Sequence, residues 1–179
     1  RYRIIMIGHA GHPEVEGTVG QVDSEINVIE KPAQVWDLEV ENPEKVAYVS
    51  QTTISYDDAK ELIQELKKRF PLVAEPKKAD ICYATQNRQD AVKELARRVD
   101  LVLVVGSKSS SNSNRLREVA EGAGTKAYLL DDAGEINPDW FEGIERVGIT
   151  AGASAPEILV DEIVEKLKTC LLYTSDAAD

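Results

Sequence analysis

The stretch Leu101-Val102-Leu103-Val104-Val105-Gly106-Ser107-Lys108-Ser109-Ser110-Ser111-Asn112-Ser113 decides the fold class. Its first part is an unbroken apolar, β-branched run, as expected of a parallel strand covered on both faces. The run is far shorter than the roughly 20 apolar residues of a membrane span. Its second part is a glycine followed by hydroxyl and amide side chains, and it leads into a helical pattern over Asn114–Glu121. A buried strand that breaks at a glycine and feeds a helix is one unit of an α/β fold.

The same grammar continues in both directions. Upstream, Asn87–Val99 reads as a helix with Ala91, Val92, Leu95 and Ala96 on one face. Downstream come a strand at Ala127–Leu130, a short helix at Asp139–Glu142, a strand at Arg146–Ile149 and a helix over Pro156–Leu167. Ile158, Leu159, Ile163, Val164 and Leu167 share one face of that last helix. The charged connector Pro76–Asp80 separates this half from an earlier one. There, Tyr2–Ile7 is a strand, His9–Gln21 a polar, glycine-rich stretch, and Ile26–Ile29 a short strand. Pro32 opens a short helix through Val35 and Leu38. Val46–Val49 is a strand, and Ser55 with Asp58 caps a helix over Tyr56–Phe70. The expected architecture is two similar α/β domains with mostly parallel sheets, residues 1–76 and 77–169.

Composition narrows the function. The chain has 179 residues, 42% hydrophobic and 30% charged, which suits a globular protein with a real core. The net charge of −11 argues against a broad nucleic-acid surface. No apolar stretch is long enough for a membrane helix. No secretory signal follows Arg1, and two cysteines make no disulfide framework, so a reducing cytoplasm is the expected location. The last ten residues, Cys170–Asp179, resemble a sequencing adaptor read in one frame and are expected to be foreign to the fold.

An acidic protein can still hold an anion locally. Three strands run into hydroxyl-rich loops that feed helices: Ser50–Ser55, Gly106–Ser113 and Thr150–Ser154. Helix N-termini present unpaired N–H groups and a positive dipole end. Short hydroxyl and amide side chains add donors without charge. The three loops can thus serve a diphosphate. Each taken singly is also accounted for by helix capping, but capping needs one hydroxyl, and Ser109–Ser113 offers several. No G-x-G-x-x-G is present, and Gly106-Ser107-Lys108-Ser109 lacks the spacing of a phosphate-binding P-loop.

Both histidines lie in Gly8-His9-Ala10-Gly11-His12-Pro13-Glu14-Val15-Glu16-Gly17-Thr18. The spacing is not that of a zinc protease. For His9 a turn-capping role is the better account. His12 and Glu14, two residues apart, suit either a proton relay or plain capping beside a solvated carboxylate. Cys82, in Asp80-Ile81-Cys82-Tyr83-Ala84-Thr85, stands ahead of a helix, where a thiolate gains from the dipole. A lone cysteine is more often a small buried hydrophobe, and an iron–sulfur cluster needs more thiolates than this chain has.

Taken together, Ile7–Thr18, Gln51-Thr52-Thr53, Asp80–Arg88, Val105–Lys108, Ser110–Leu116 and Thr150–Pro156 closely resemble the 4-hydroxy-3-methylbut-2-enyl diphosphate reductases, the IspH or LytB family, over Arg1 to about Lys168. The resemblance implies a pseudo-symmetric fold of three similar α/β domains, of which this chain would hold the second and third. It implies a [4Fe–4S] cluster on three cysteines and a reaction of the non-mevalonate isoprenoid pathway. In that reaction two electrons and two protons remove an allylic hydroxyl as water. Cys82 is then the third cluster ligand and Glu14 the proton donor, with His12 and Thr52 in its relay. His12, Thr53, Ser110, Ser111, Asn112 and Ser154 bind the substrate. Ferredoxin or flavodoxin is the implied electron donor, and the location is the cytoplasm, or the plastid in a photosynthetic eukaryote. The first two cluster cysteines and two further histidines are expected ahead of Arg1, so this polypeptide alone is expected to be inactive. A non-catalytic diphosphate-binding α/β module is the alternative.

Overall fold

The computed structural model describes residues 2–23, 25–76, 81 and 83–175, with side chains through residue 169. The chain divides into two compact units, Arg1–Gln86 and Asn87–Asp179.

The first unit is built on three parallel strands, β1 (Arg3–Ile7), β2 (Ile26–Ile29) and β3 (Val46–Ser50), in the order β2-β1-β3. Between them lie helices α1 (Pro13–Val19) and α2 (Gln34–Asp37), and α3 (Tyr56–Arg69) follows β3. Helix α3 has signals at both ends. The Ser55 hydroxyl accepts the Asp58 N–H at 3.3 Å, Asp57 and Asp58 stand in the first turn, and Lys67, Lys68 and Arg69 stand in the last. That charge order suits the helix dipole. Its Ala59, Leu62 and Leu66 are fully buried against Ile5, Ile7, Val35, Val46 and Ile54.

The second unit repeats the plan. Helix α4 (Tyr83–Ala96) leads to β4 (Leu101–Val105), α5 (Ser111–Gly122), β5 (Lys126–Leu130), β6 (Val147–Ala151) and α6 (Glu157–Ser175). The parallel order is β5-β4-β6. Every residue of β4 is buried, because the strand lies between two apolar layers. Val102 and Val104 face Val92, Ala96, Leu116 and Ala120, whereas Leu101, Leu103 and Val105 face Leu130, Ile163 and Leu167.

In each unit the first strand is central, the second lies on one side and the third on the other. The chain therefore reverses its direction of travel across the sheet at the central strand. Such a reversal opens a crevice at the carboxyl ends of the strands, where α/β sheets bind ligands. In the first unit the crevice is flanked by the segments after β1 and β3. In the second it is flanked by those after β4 and β6.

Helix α6 continues through residues 170–175, part of the stretch expected to be foreign to the fold. Two further local structures differ from the sequence expectation. The polar stretch His9–Gln21 contains helix α1. It is capped by His12, opened by Pro13 and supplied with Glu14 and Glu16 in its first turn, but Val15 is its one buried residue, so it has no apolar periodicity to announce it. Helix α5 begins at Ser111, with Ser110 as its cap, so Ser111, Asn112 and Ser113 form the first turn of a helix and not a loop.

Candidate functional site

The loops at the carboxyl ends of the strands are fastened by equivalent bonds in the two units. Gly8 N–H donates to Ile29 O at 3.0 Å, and Gly106 N–H to Leu130 O at 2.9 Å. Gln51 N–H donates to Ile7 O and Gly152 N–H to Val105 O, both at 2.8 Å. Two residues beyond the first glycine, Ala10 N–H is held by the Glu30 carboxylate and Lys108 N–H by that of Asp131. Six residues beyond it (Glu14 and Asn112) a side chain of the first helical turn crosses to the third strand's loop. Glu14 Oε1 accepts Thr52 N–H at 2.8 Å, and Asn112 Oδ1 accepts Ala153 N–H at 3.1 Å.

In the first unit this brings His12, Glu14 and Thr52 together. The His12 Nδ1 accepts the Glu14 N–H at 3.2 Å. A nitrogen that accepts carries no proton, so the ring of His12 in this geometry bears its hydrogen on Nε2. The Glu14 main chain is anchored from the other side, because the Thr18 hydroxyl donates to its carbonyl at 2.8 Å. Thr53 joins the group through Gln51, whose Nε2 donates to the Thr53 hydroxyl at 3.1 Å while its Oε1 accepts His9 N–H at 3.1 Å. The carboxyl side chain of Glu14 is thus carried on a helix and aimed across the crevice at a loop with two hydroxyls.

In the second unit Ser110, Ser111 and Asn112 form the cap and first turn of α5, and their exposure is intermediate. Ser154 lies exposed in the loop after β6, next to the Ala153 that Asn112 engages. The Asn114 side chain donates to both Lys108 O at 2.7 Å and Ser110 O at 3.0 Å, which shapes the serine loop from within the helix. Lys108 pairs with Glu135, whose other oxygen accepts Asp131 N–H at 2.9 Å. The ammonium holds the Glu135 carboxyl below the usual carboxylate range, helped by the Asp131 N–H, and Glu135 raises Lys108. The loop's cation is therefore engaged in fixing the loop.

Closely approaching backbone makes room for these arrangements. A Cβ on Gly106 or Gly152 would lie 2.3 or 2.2 Å from Ser113 Oγ, so the two glycines form a slot around that side chain. Ser113 is buried, and its hydroxyl has no hydrogen-bond partner among the described residues. At the equivalent place in the first unit, Val15 packs over Gly8.

Cys82 lies outside the described residues. Among the described residues no group of three or more His, Cys, Asp or Glu side chains is gathered as a metal site. These side chains alone do not make a [4Fe–4S] site, which takes several thiolates. No described helix is long and apolar enough to cross a membrane. Gln51, Asn114 and Ser113 were not singled out as site residues by sequence reasoning. Gln51 had the clearest signal, a polar residue placed directly after a core strand.

A family-wide profile described as LytB protein matches residues 1–168. The chain belongs to the LytB family. It is 60% identical over 167 residues to the 4-hydroxy-3-methylbut-2-enyl diphosphate reductase of Methylibium petroleiphilum, covering 93% of this chain and 51% of that protein. It is 62% identical over 165 residues to the protein of that name from Aromatoleum aromaticum, covering 92% and 53%. The chain thus spans about half the length of these LytB relatives. A solved structure, the E-1-hydroxy-2-methyl-but-2-enyl-4-diphosphate reductase from Plasmodium falciparum, superposes with a TM-score of 0.85 at 34% identity, covering 92% of this chain and 52% of that one. The α/β fold of parallel sheets expected for a LytB protein is the one observed.

Proposed function

We propose that this chain carries the proton donor and the diphosphate cradle of a 4-hydroxy-3-methylbut-2-enyl diphosphate reductase, and that its two units are the second and third domains of a three-domain protein. The observation that supports this most is the pair of crossed loops in the second unit. There Asn112 bridges to Ala153 N–H at 3.1 Å, beside the N-terminus of α5 and the hydroxyls of Ser110, Ser111 and Ser154. A dianionic phosphate gains there from main-chain N–H groups, hydroxyl donors and the helix dipole.

In the first unit Glu14 is the proton donor. Its carboxyl is held near Thr52 by the main-chain N–H, and His12 steadies the first turn of α1 on which Glu14 stands. A carboxylic acid fixed in this way transfers its proton without first paying the entropy of finding its acceptor. The [4Fe–4S] cluster implied by the resemblance would supply the electrons, with Cys82 among its ligands and a ferredoxin or flavodoxin as the source. The cytoplasm is the proposed location.

The cradle is tested by the unfolding midpoint of the 179-residue polypeptide in inorganic diphosphate. A ligand at 100 times its dissociation constant stabilises by about 2.7 kcal/mol. The expected result is protection by diphosphate that is lost in Asn112→Ala; absence of protection in the parent chain sinks the cradle. Iron and acid-labile sulfide after anaerobic reconstitution test the rest. Values near zero and no turnover of the allylic diphosphate are expected. Retention of about four irons with turnover would remove the expectation that the polypeptide alone is inactive.

A further inference from the structure

Gln51 is the most deeply buried polar residue next to the proton-donor site in the first unit, at 2% exposure, and the reaction as described leaves it without a role. Its position is closely determined. Its N–H closes the sheet to Ile7 O, and its Cβ and Oε1 pack where a side chain on Gly8 would stand. Both ends of its amide are engaged, Oε1 by His9 N–H and Nε2 by the Thr53 hydroxyl.

We infer that Gln51 is a positioning residue that sets the direction of the Thr53 hydroxyl, so that Thr53 offers its hydrogen outward to an acceptor oxygen of the bound allylic diphosphate. A main-chain N–H can only donate. The amide end facing His9 must therefore be the carbonyl oxygen, and the end facing Thr53 the NH₂ group. The orientation follows from the backbone and not from a choice between amide rotamers. A hydroxyl that accepts from Gln51 keeps its own hydrogen for a different acceptor. In the buried setting of Gln51 each bond in the chain polarises the next. The ligand class that suits such a donor has acceptor-only oxygens, as an anionic diphosphate does. The second unit lacks the device, because Gly152 stands where Gln51 does.

This inference rests on the proposed substrate site, and the experiment separates the two. The polypeptide is labelled with ¹⁵N, and the Gln51 side-chain amide is followed without ligand. Binding of (E)-4-hydroxy-3-methylbut-2-enyl diphosphate is then measured for the parent, Gln51→Glu, Thr53→Val, Thr53→Ser and the double variant Gln51→Glu/Thr53→Val. In Gln51→Glu the carboxylate accepts from both neighbours and turns the Thr53 hydrogen inward. The expected result is a slowly exchanging amide pair that shifts in Thr53→Val. Gln51→Glu and Thr53→Val each weaken binding about tenfold, the double variant is no weaker than either, and Thr53→Ser binds like the parent. A rapidly exchanging amide unmoved by Thr53→Val overturns the inference with no ligand involved. So does parent-like binding by Gln51→Glu, or an additive loss in the double variant. If Gln51→Glu does not fold, parent-like binding by Thr53→Val overturns it. A protected amide in a parent chain that does not bind the substrate overturns the proposed site, and with it any ligand for Thr53 to face.

Discussion

The loops after β1 and β3 and those after β4 and β6 are fastened by equivalent bonds at the same steps, yet they differ at two positions. The side chain that crosses the crevice is a carboxyl in the first unit, Glu14, and an amide in the second, Asn112. The side chain packed over the leading glycine is Val15 in the first and Ser113 in the second. A shared scaffold thus carries an ionisable group on one side and a neutral, multi-donor surface on the other. The first suits proton transfer, and the second suits holding an anion. At these two positions the units differ by side chain while the loop fastenings are shared.

The comparison breaks first at the leading glycines. Gly106→Ala drives a methyl group into Ser113 Oγ, at 2.3 Å, whereas Gly8→Ala meets Val15 Cγ2 at 2.8 Å. Overpacking of this kind costs about 1–3 kcal/mol. Chemical denaturation is expected to put Gly106→Ala at the top of that range and Gly8→Ala at the bottom; the reverse order would deny that the second slot is the tighter.

The buried side chains over those glycines come next. Ser113→Ala removes a hydroxyl that has no partner among the described residues and is expected to stabilise the protein by up to about 1 kcal/mol, since an unsatisfied buried group costs about 1–3 kcal/mol. Val15→Ser places such a group in the first unit and also removes two buried methyl groups, so it is expected to destabilise by more, about 2–4 kcal/mol. Shifts of opposite sign in the denaturation midpoint sharpen the equivalence of the two positions.

The crossing side chains should cost less. Asn112→Ala removes a neutral hydrogen bond worth about 0.5–1.5 kcal/mol. Glu14→Gln keeps an acceptor for Thr52 N–H, and a change below about 0.5 kcal/mol is expected in stability, together with loss of the proton that Glu14 is proposed to deliver. A large stability loss in Glu14→Gln would mean that the carboxylate is structural.

The smallest effect concerns Lys108 and Glu135, an exposed pair found in the second unit. The Glu135 carboxyl is lowered, so its contribution is present above the ordinary carboxylate range and is lost as pH falls through the lowered value. Lys108 is raised, so its contribution is present below the ordinary lysine range and is lost as pH rises through the raised value. The difference in unfolding midpoint between the parent and Glu135→Gln is expected to be small, confined to that window and abolished in about 1 M salt. A difference that persists at high salt would make the pair more than a surface contact.

Much of this was legible in the sequence, for reasons that can be named. The fully buried β4 reads as an apolar run because both of its faces are covered. Helix α3 announces itself through Ser55 and its charged ends. Helix α1 did not, because seven residues with one buried side chain leave no period to detect. The hydroxyl loops stand out through composition alone, and the anion they are proposed to hold is an inference from it, while the register that pairs Glu14 with Thr52, or Asn112 with Ala153, depends on strands far apart in the chain. Ser113 and Gln51 look ordinary in sequence. Their meaning arises from the glycines and hydroxyls that the fold sets against them.

Asn114 reaches back to two carbonyls of the serine loop from a position inside α5. The shape of that loop is consequently stored in the helix that follows it. A binding loop specified from outside can exchange its own surface residues and keep its form. Specificity for the anion that this loop is proposed to hold can therefore drift while the architecture that presents it stays fixed.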